Sequence, residues 1–108
     1  MPFPVASGLL DACVLAIVSR DDTYGYKLTQ ELNQAVELSE STLYPVLRRL
    51  QKDNLLDTYE RSHDGRNRRY YRITADGKKK HGQYAAAWKN FKRSMDKIIL
   101  GEDKNEQS

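Results

Sequence analysis

The sequence has few of the residues that build disulfides, metal sites and membrane spans. Among its 108 residues are one cysteine, two histidines and one tryptophan. Cys13 has no second cysteine to pair with, so a disulfide within the chain and a cysteine-based zinc site are excluded, and a reducing, cytoplasmic setting is expected. No apolar run approaches the roughly 20 residues of a membrane helix, and no N-terminal segment has the layout of a secretory signal. We expect no metal, no cofactor and no membrane association.

Motifs that carry catalysis are also lacking. The sequence has no phosphate-binding glycine loop, no nucleophile elbow and no metalloprotease pattern. Neither His63 nor His81 has a cysteine or a pair of carboxylates at ligand spacing. These absences predict a binding protein rather than an enzyme.

Positive charge is present, and it is concentrated in the middle of the chain. Residues 1–37 hold two basic and five acidic side chains, a net charge of −3. Residues 38–80 hold eleven basic and six acidic ones, a net of +5, and residues 81–108 hold five and four, a net of +1. A concentrated basic segment indicates contact with a polyanion such as nucleic acid. A solvated basic face is the plainer alternative.

Two helices are predicted in the N-terminal third. Residues 9–18 are too apolar for an ordinary surface helix and too short for a membrane span, which indicates a helix buried on most of its circumference. A second helix follows, and either Asp22 or Thr23 is a suitable N-cap for it.

A third helix is predicted over about residues 42–53. Ser41 or Thr42 is expected to cap it, because Pro45 would then lie in the first turn, where a missing backbone N–H costs least. Three leucines share one face of this helix, the expected inner face. They are Leu43, Leu47 and Leu50.

After the third helix the pattern changes to that of strands. Residues 55–61 and 68–74 are rich in Leu, Tyr, Thr and Ile, and they flank a turn centred on Asp64 and Gly65, which predicts a β-hairpin. Thr74 is a suitable cap for the long last helix.

The order helix, helix, helix, hairpin, long helix predicts a mainly α fold with a small β-hairpin, in the α+β class. We assign residues 1–74 to a winged helix-turn-helix domain that binds DNA. Residues 75–100 are assigned to a C-terminal dimerisation helix and residues 101–108 to a flexible tail.

The third helix and the hairpin carry the candidate DNA contacts. A helix that enters the major groove needs one buried face and one face able to bond to base edges and phosphates. The third helix offers hydroxyls near its N-terminus and cations further along, and arginines surround the hairpin turn. The candidate DNA-binding residues are Ser41, Thr42, Tyr44, Pro45, Arg48, Arg49 and Lys52 on the helix and Arg66, Arg68 and Arg69 on the hairpin.

The last helix carries an apolar stripe with the spacing of a heptad seam. In a chain of this size such a stripe leaves large side chains exposed unless a second chain covers them, so we expect a homodimer. The apolar first helix is the expected complement, donated by the partner. The predicted interface consists of Leu9 and Val14 from the first helix and Tyr84, Trp88, Phe91, Met95 and Ile98 from the last.

Three blocks of the sequence resemble the PadR family of bacterial transcriptional regulators. They are residues 24–26 (YGY), residues 41–50 (STLYPVLRRL) and residues 68–74 (RRYYRIT) followed by Gly77. The resemblance covers roughly residues 8–100. It implies a homodimer that binds a palindromic operator in double-stranded DNA and represses transcription until an effector arrives. It also adds Tyr26 to the candidate DNA contacts.

The short C-terminal region resembles the compact branch of that family, which contains multidrug-binding repressors. In that branch a tryptophan at the place of Trp88 lies near the dimer axis, and planar aromatic ligands stack between the two symmetry-related rings. The resemblance implies an effector pocket lined by Asp11, Ala12, Leu15, Tyr84, Trp88, Lys92 and Met95. Some multidrug binders have an acidic residue where this chain has Lys92, so neutral or anionic aromatics are at least as suitable as cations.

Two alternatives stay open on the sequence alone. Trp88 could be no more than part of the dimer interface, in a regulator without a small-molecule effector. The chain could also keep the winged fold and bind another protein through its long helix or its hairpin.

Overall fold

The computed structural model describes residues 5–101, and it has the predicted order of helices and hairpin. Four helices and a small antiparallel sheet confirm the predicted α+β class. No helix within the described range is long and apolar enough to cross a membrane. Residues 102–108, most of the predicted tail, lie outside that range. The elements are α1 (Val5–Arg20), β1 (Thr23–Tyr24), α2 (Gly25–Leu32), α3 (Glu40–Lys52), β2 (Leu56–His63), β3 (Arg66–Ile73) and α4 (Ala75–Leu100).

The sheet has three strands rather than the two of the predicted hairpin, in the order β1-β3-β2. In β1, Thr23 pairs with Tyr71 and Tyr24 with Tyr70. The expected N-cap of α2 is therefore wrong, because Thr23 belongs to this strand. Tyr24 occupies the cap position with extended dihedrals and no side-chain cap bond. A strand of two residues is too short to leave an alternating pattern in the sequence.

The hairpin itself is confirmed, with strands that run closer to the turn than predicted. Asp64 and Gly65 form a two-residue loop and both have positive φ, 53° and 79°. Positive φ at both central residues is the requirement of the type I′ turn, whose twist matches that of the flanking strands. The strands consequently pair without a break from Leu56–Ile73 to His63–Arg66.

The core forms where α1 meets α3 and α4 of the same chain. The largest fully buried side chains are leucines and valines, among them the three leucines predicted for the inner face of α3. The predicted burial of the first helix is confirmed for Val14, Leu15 and Val18, which are at most 1% exposed. Within the described chain α1 packs against its own α4.

The start of α3 differs from the prediction. Ser39, not Ser41 or Thr42, is the N-cap, and its hydroxyl accepts a hydrogen bond from the Thr42 backbone N–H at 3.3 Å. The helix therefore begins at Glu40, and Pro45 lies inside its second turn. A proline there has no N–H for the carbonyl of Ser41, a cost that the burial of the leucine face offsets.

The start of α4 packs tightly on the base of the hairpin. Thr74 caps the helix as predicted, because its hydroxyl accepts from the Gly77 N–H at 2.9 Å. The Leu55 carbonyl accepts from the Thr74 N–H at 3.1 Å and lies directly over Gly77. A Cβ on Gly77 would be 2.2 Å from that carbonyl oxygen and 2.6 Å from Ile73 Cγ1.

We expect Gly77→Ala to lower the free energy of unfolding by about 1–3 kcal/mol or more, because the new methyl overlaps backbone that cannot move away cheaply. Gly82→Ala is the matched control in the same helix, where an added Cβ meets nothing within 4 Å. That control should stabilise by roughly 0.5–1 kcal/mol. Urea unfolding of both variants is the measurement, and equal shifts in the two would contradict the close approach.

Candidate nucleic-acid interface

A groove of about 460 Å³ lies between the start of α2, the outer face of α3 and strand β3. Three arginines, Arg48, Arg68 and Arg69, stand in its walls against one carboxylate, Glu40. The remaining lining residues are Tyr24, Gly25, Tyr26, Tyr44, Gln51, Asn67 and Tyr71. The groove thus joins α3 and the hairpin, the two elements that carry the candidate DNA contacts.

Tyr44 crosses the groove from α3 to α2. Its ring lies on Gly25, and a Cβ at that glycine would be 2.9 Å from the Tyr44 hydroxyl oxygen. Tyr44 is still 40% exposed. Two of the three blocks that resemble the PadR family, residues 24–26 and 41–50, therefore meet at this contact.

Tyr71 forms the floor of the groove and belongs to the core. Burial raises the pKa of its hydroxyl, while the neighbouring guanidinium of Arg69 opposes that shift. The hydroxyl therefore stays protonated at neutral pH and can donate a hydrogen bond.

The outer face of the wing, β2 and β3, holds like charges opposite one another. Arg61 of β2 pairs directly with Arg68 of β3. Like charges at facing positions destabilise a hairpin, and a bound phosphate would relieve that repulsion. In the free chain the two guanidinium groups lie over different rings, Arg61 at 5.3 Å from the centroid of Tyr70 and Arg68 at 4.1 Å from that of Tyr24.

Three tyrosines support these arginines. Tyr70 stacks on Tyr59 with ring centroids 5.5 Å apart and meets Tyr24 edge-to-face at 5.4 Å. The Tyr59 hydroxyl donates to Asp22 Oδ2 at 2.7 Å, which ties the wing to the turn after α1. This hydrogen bond to Asp22 raises the pKa of Tyr59. The stack fixes the wing relative to the start of α2.

The other candidate DNA contacts are exposed on the surface. Tyr26 is 60% exposed at the start of α2. Ser41 and Thr42 are exposed at the start of α3, where both hydroxyls lie within hydrogen-bond distance of Ser39 Oγ. Pro45 and Lys52 on α3 and Arg66 at the wing tip are also exposed.

Arg49 is the candidate that points elsewhere. Its guanidinium Nη2 donates to Asp11 Oδ1 of α1 and forms an ion pair with it. Arg49 is absent from the lining of the groove, whereas its neighbour Arg48 is part of it. Arg49 was predicted as a DNA contact from its position on the third helix, and no local pattern links it to Asp11, which lies 38 residues away.

A second groove, of about 470 Å³ and almost wholly apolar, lies between α1, α4 and residues 35–36. Of the predicted effector residues, Ala12, Tyr84 and Trp88 line it. Asp11 pairs with Arg49, Leu15 is fully buried, Lys92 pairs with Asp96 at 3.4 Å, and Met95 is half-buried outside the lining. The residues of the groove not included in the predicted pocket are Leu9, Cys13, Ala16, Ala35, Val36, His81 and Ala85.

The predicted dimer stripe on α4 is only partly on the surface. Trp88 is 43% and Ile98 73% exposed, and the adjacent Ile99 and Leu100 are also exposed, whereas Tyr84 is buried in the chain's own core. Phe91 and Met95 are half-buried, with the Phe91 ring 5.9 Å from that of Trp88. On α1, Leu9 is half-buried, but Val14 is fully buried in the chain's own core.

A helix-turn-helix followed by a basic hairpin, with both elements facing one groove, defines the class of winged helix-turn-helix DNA-binding proteins. No group of histidine, cysteine or carboxylate side chains that could hold a metal occurs within residues 5–101. Residues 14–83 match the Transcriptional regulator PadR-like family, so the chain belongs to that family. Because the family consists of transcriptional regulators, the prediction that the chain is not an enzyme is confirmed.

Solved structures with the same fold support this assignment. A Streptococcus mutans protein is 40% identical, with a TM-score of 0.84 over 94% of this chain and 95% of its own. A PadR-like transcriptional regulator from Bacillus cereus is 32% identical, with a TM-score of 0.81 over 88% of this chain and 95% of its own. Bacillus subtilis PadR, solved in complex with operator DNA, is 18% identical, with a TM-score of 0.65 over 71% of this chain and 46% of its own.

Proposed function

We propose that the chain is a homodimeric transcriptional repressor whose α3 enters the major groove of a palindromic operator while the wing contacts the adjacent backbone. The observation that carries the proposal is the groove itself, in which Tyr44 and Arg48 face Arg68 and Arg69. In this proposal residues 1–74 are the DNA-binding unit and residues 75–100 the dimerisation helix. A repressor works where the chromosome lies, so a cytoplasmic location is part of the proposal.

The proposed contacts fall into two groups, one suited to base edges and one suited to phosphates. Tyr44 and Arg48 project from the exposed face of α3, where side chains can bond to base edges. The wing arginines and the exposed hydroxyls at the start of α3 suit phosphate oxygens. Bacillus subtilis PadR, a protein of the same fold, was solved in complex with operator DNA, which supports DNA as the ligand. The proposed contacts are Tyr26, Ser41, Thr42, Tyr44, Pro45, Arg48, Lys52, Arg66, Arg68 and Arg69.

We expect Arg48→Ala and Arg68→Ala each to weaken binding to a duplex from the gene's own promoter by about 1–3 kcal/mol, with the fold intact. If the side chain contacts phosphate, the slope of log K against log salt should fall by about one. Lys89→Ala, which removes the same charge from the exposed surface of α4, is the matched control. Gel-shift titrations at several salt concentrations measure these quantities.

The alternative, a winged protein that binds another protein, makes the opposite prediction in the same experiment. It is favoured if the wild-type chain shows no preference for promoter DNA over random DNA at moderate salt. Unchanged affinity in both arginine variants would also contradict the proposed interface.

The homodimer is proposed from the apolar stripe on α4. Trp88, Ile98, Ile99 and Leu100 are all large and exposed in a single chain, which is unfavourable in water. Two chains joined along this stripe would cover it. They would also present two α3 helices about one DNA turn (~34 Å) apart, as a palindromic site requires.

We expect Ile98→Asp to shift the dimer towards monomer, because a carboxylate would then have to be buried in an apolar interface. Ile98 is 73% exposed in the single chain, so the monomer should keep its helical circular-dichroism signal. Sedimentation velocity measures the mass, with Lys89→Ala as a control that stays dimeric. A wild-type chain that sediments as a monomer would refute the interface.

The apolar groove beside Trp88 is the proposed effector site. Its wall consists of small and aromatic side chains, and a planar aromatic ligand could stack on the exposed indole of Trp88. Lys92 pairs with Asp96 one turn beyond Trp88, so this part of α4 offers no isolated negative charge to a cation. We therefore propose neutral or anionic aromatic molecules as effectors.

We expect neutral and anionic planar aromatic compounds to quench the fluorescence of Trp88, the only tryptophan of the sequence. At saturating concentration these compounds should also lower the affinity of the protein for promoter DNA. Ala12→Leu, which narrows the groove, should reduce the quenching, and Lys89→Ala should not. A signal unchanged across neutral, anionic and cationic compounds would favour a regulator in which Trp88 belongs only to the dimer interface.

A further inference from the structure

Arg48 and Arg49 are neighbours on α3, yet their side chains have different surroundings. Arg48 lines the basic groove. Arg49 turns towards α1, where its guanidinium pairs with the carboxylate of Asp11. The Asp11 side chain is only 12% exposed, whereas that of Arg49 is 46% exposed. The acid is therefore the buried partner and the arginine reaches in from the surface.

Tyr84 of α4 lies near this ion pair. Burial raises the pKa of Tyr84, the carboxylate of Asp11 raises it further, and the guanidinium of Arg49 opposes both. Tyr84 also lines the apolar groove beside Trp88.

The ion pair joins α3, the helix proposed to enter the major groove, to α1. A carboxylate placed among the apolar residues of α1 is costly unless a cation and hydrogen bonds compensate it. The leucines of α3 hold the helix against the core, but apolar packing is non-directional and permits small rotations about the helix axis. A charge-assisted hydrogen bond has a preferred direction, and this one fixes the last turns of α3 against α1.

We propose that Arg49 is a positioning residue rather than a DNA contact, and that through Asp11 it sets the rotation of α3 that places Tyr44 and Arg48 for reading an operator. This inference rests on the proposed function. It gives Asp11, which does not line the basic groove, a role in operator recognition.

The direction in which Asp11→Asn changes DNA affinity distinguishes a positioning role of Arg49 from a direct phosphate contact. If Arg49 were a phosphate contact restrained by Asp11, then Asp11→Asn would free a cation and remove a negative charge, and DNA affinity would rise. If the pair positions α3, Asp11→Asn weakens the directional bond and operator affinity falls. Affinity for random DNA, which depends on phosphate contacts, should then stay unchanged or rise.

The probe is a duplex enriched from a random-sequence library by the wild-type protein, compared with an unselected duplex of the same length. For Asp11→Asn we expect an affinity for the enriched duplex at least about tenfold lower, which corresponds to about 1.4 kcal/mol. Affinity for the unselected duplex should not fall. Equal or tighter binding to the enriched duplex would overturn the inference.

A double-mutant cycle gives an independent readout. Arg49→Ala should weaken enriched-duplex binding in the wild-type background and have little further effect in an Asp11→Ala background, because the arginine acts through the acid. On the unselected duplex Arg49→Ala should leave the salt slope unchanged, whereas Arg68→Ala, at a proposed phosphate contact, lowers it by about one. Equal losses in the two backgrounds, or a lowered salt slope for Arg49→Ala, would mean direct contact with DNA.

Folding is monitored for every variant by circular dichroism and sedimentation. If Asp11→Ala unfolds, the comparison of Arg49→Ala with Arg68→Ala on the two duplexes still decides between positioning and contact. If the wild-type protein enriches no duplex, the proposed function itself fails. Enrichment by the wild type with normal specificity in Asp11→Asn removes only the positioning role.

Discussion

The burial of α1 is the constraint on which the rest of the structure depends. Its residues are apolar on nearly every side, so the helix needs cover around most of its circumference. The helix-turn-helix covers one part and α4 another, and Val14, Leu15 and Val18 are shielded almost completely. Because α3 and α4 both pack on the same helix, the basic groove and the apolar groove are held in a fixed relation within one short chain.

The features that could be predicted are those with a periodic or local cause. The leucine face of α3, the Asp64-Gly65 turn and the Thr74 cap each depend on residues close together in the sequence, and the structure has all three. The basic wing was likewise visible as a cluster of arginines. Such features need no knowledge of which elements pack together.

The features that were missed depend on contacts between distant parts of the chain. Strand β1 exists because Thr23 and Tyr24 find a partner in β3, not because of any pattern of their own. Pro45 lies within α3 because Ser39 offers an earlier cap than the two residues expected. The ion pair of Arg49 with Asp11 joins residues 38 positions apart, so the helical position of Arg49 could not predict it. In each case the local preference was weaker than a tertiary contact.

Two arginines of the wing form cation–π contacts with tyrosine rings. In the free chain Arg68 lies over Tyr24 and Arg61 over Tyr70, contacts worth roughly 0.5–1 kcal/mol at exposed sites. That is less than a charge-assisted hydrogen bond to phosphate, so in the proposed complex Arg68 would leave its ring for a phosphate at a net gain. The rings also limit the conformations of two long side chains before any ligand arrives, which reduces the entropy lost on binding. The tyrosines of the wing thus keep the side chains of Arg61 and Arg68 apart and ordered before a ligand binds.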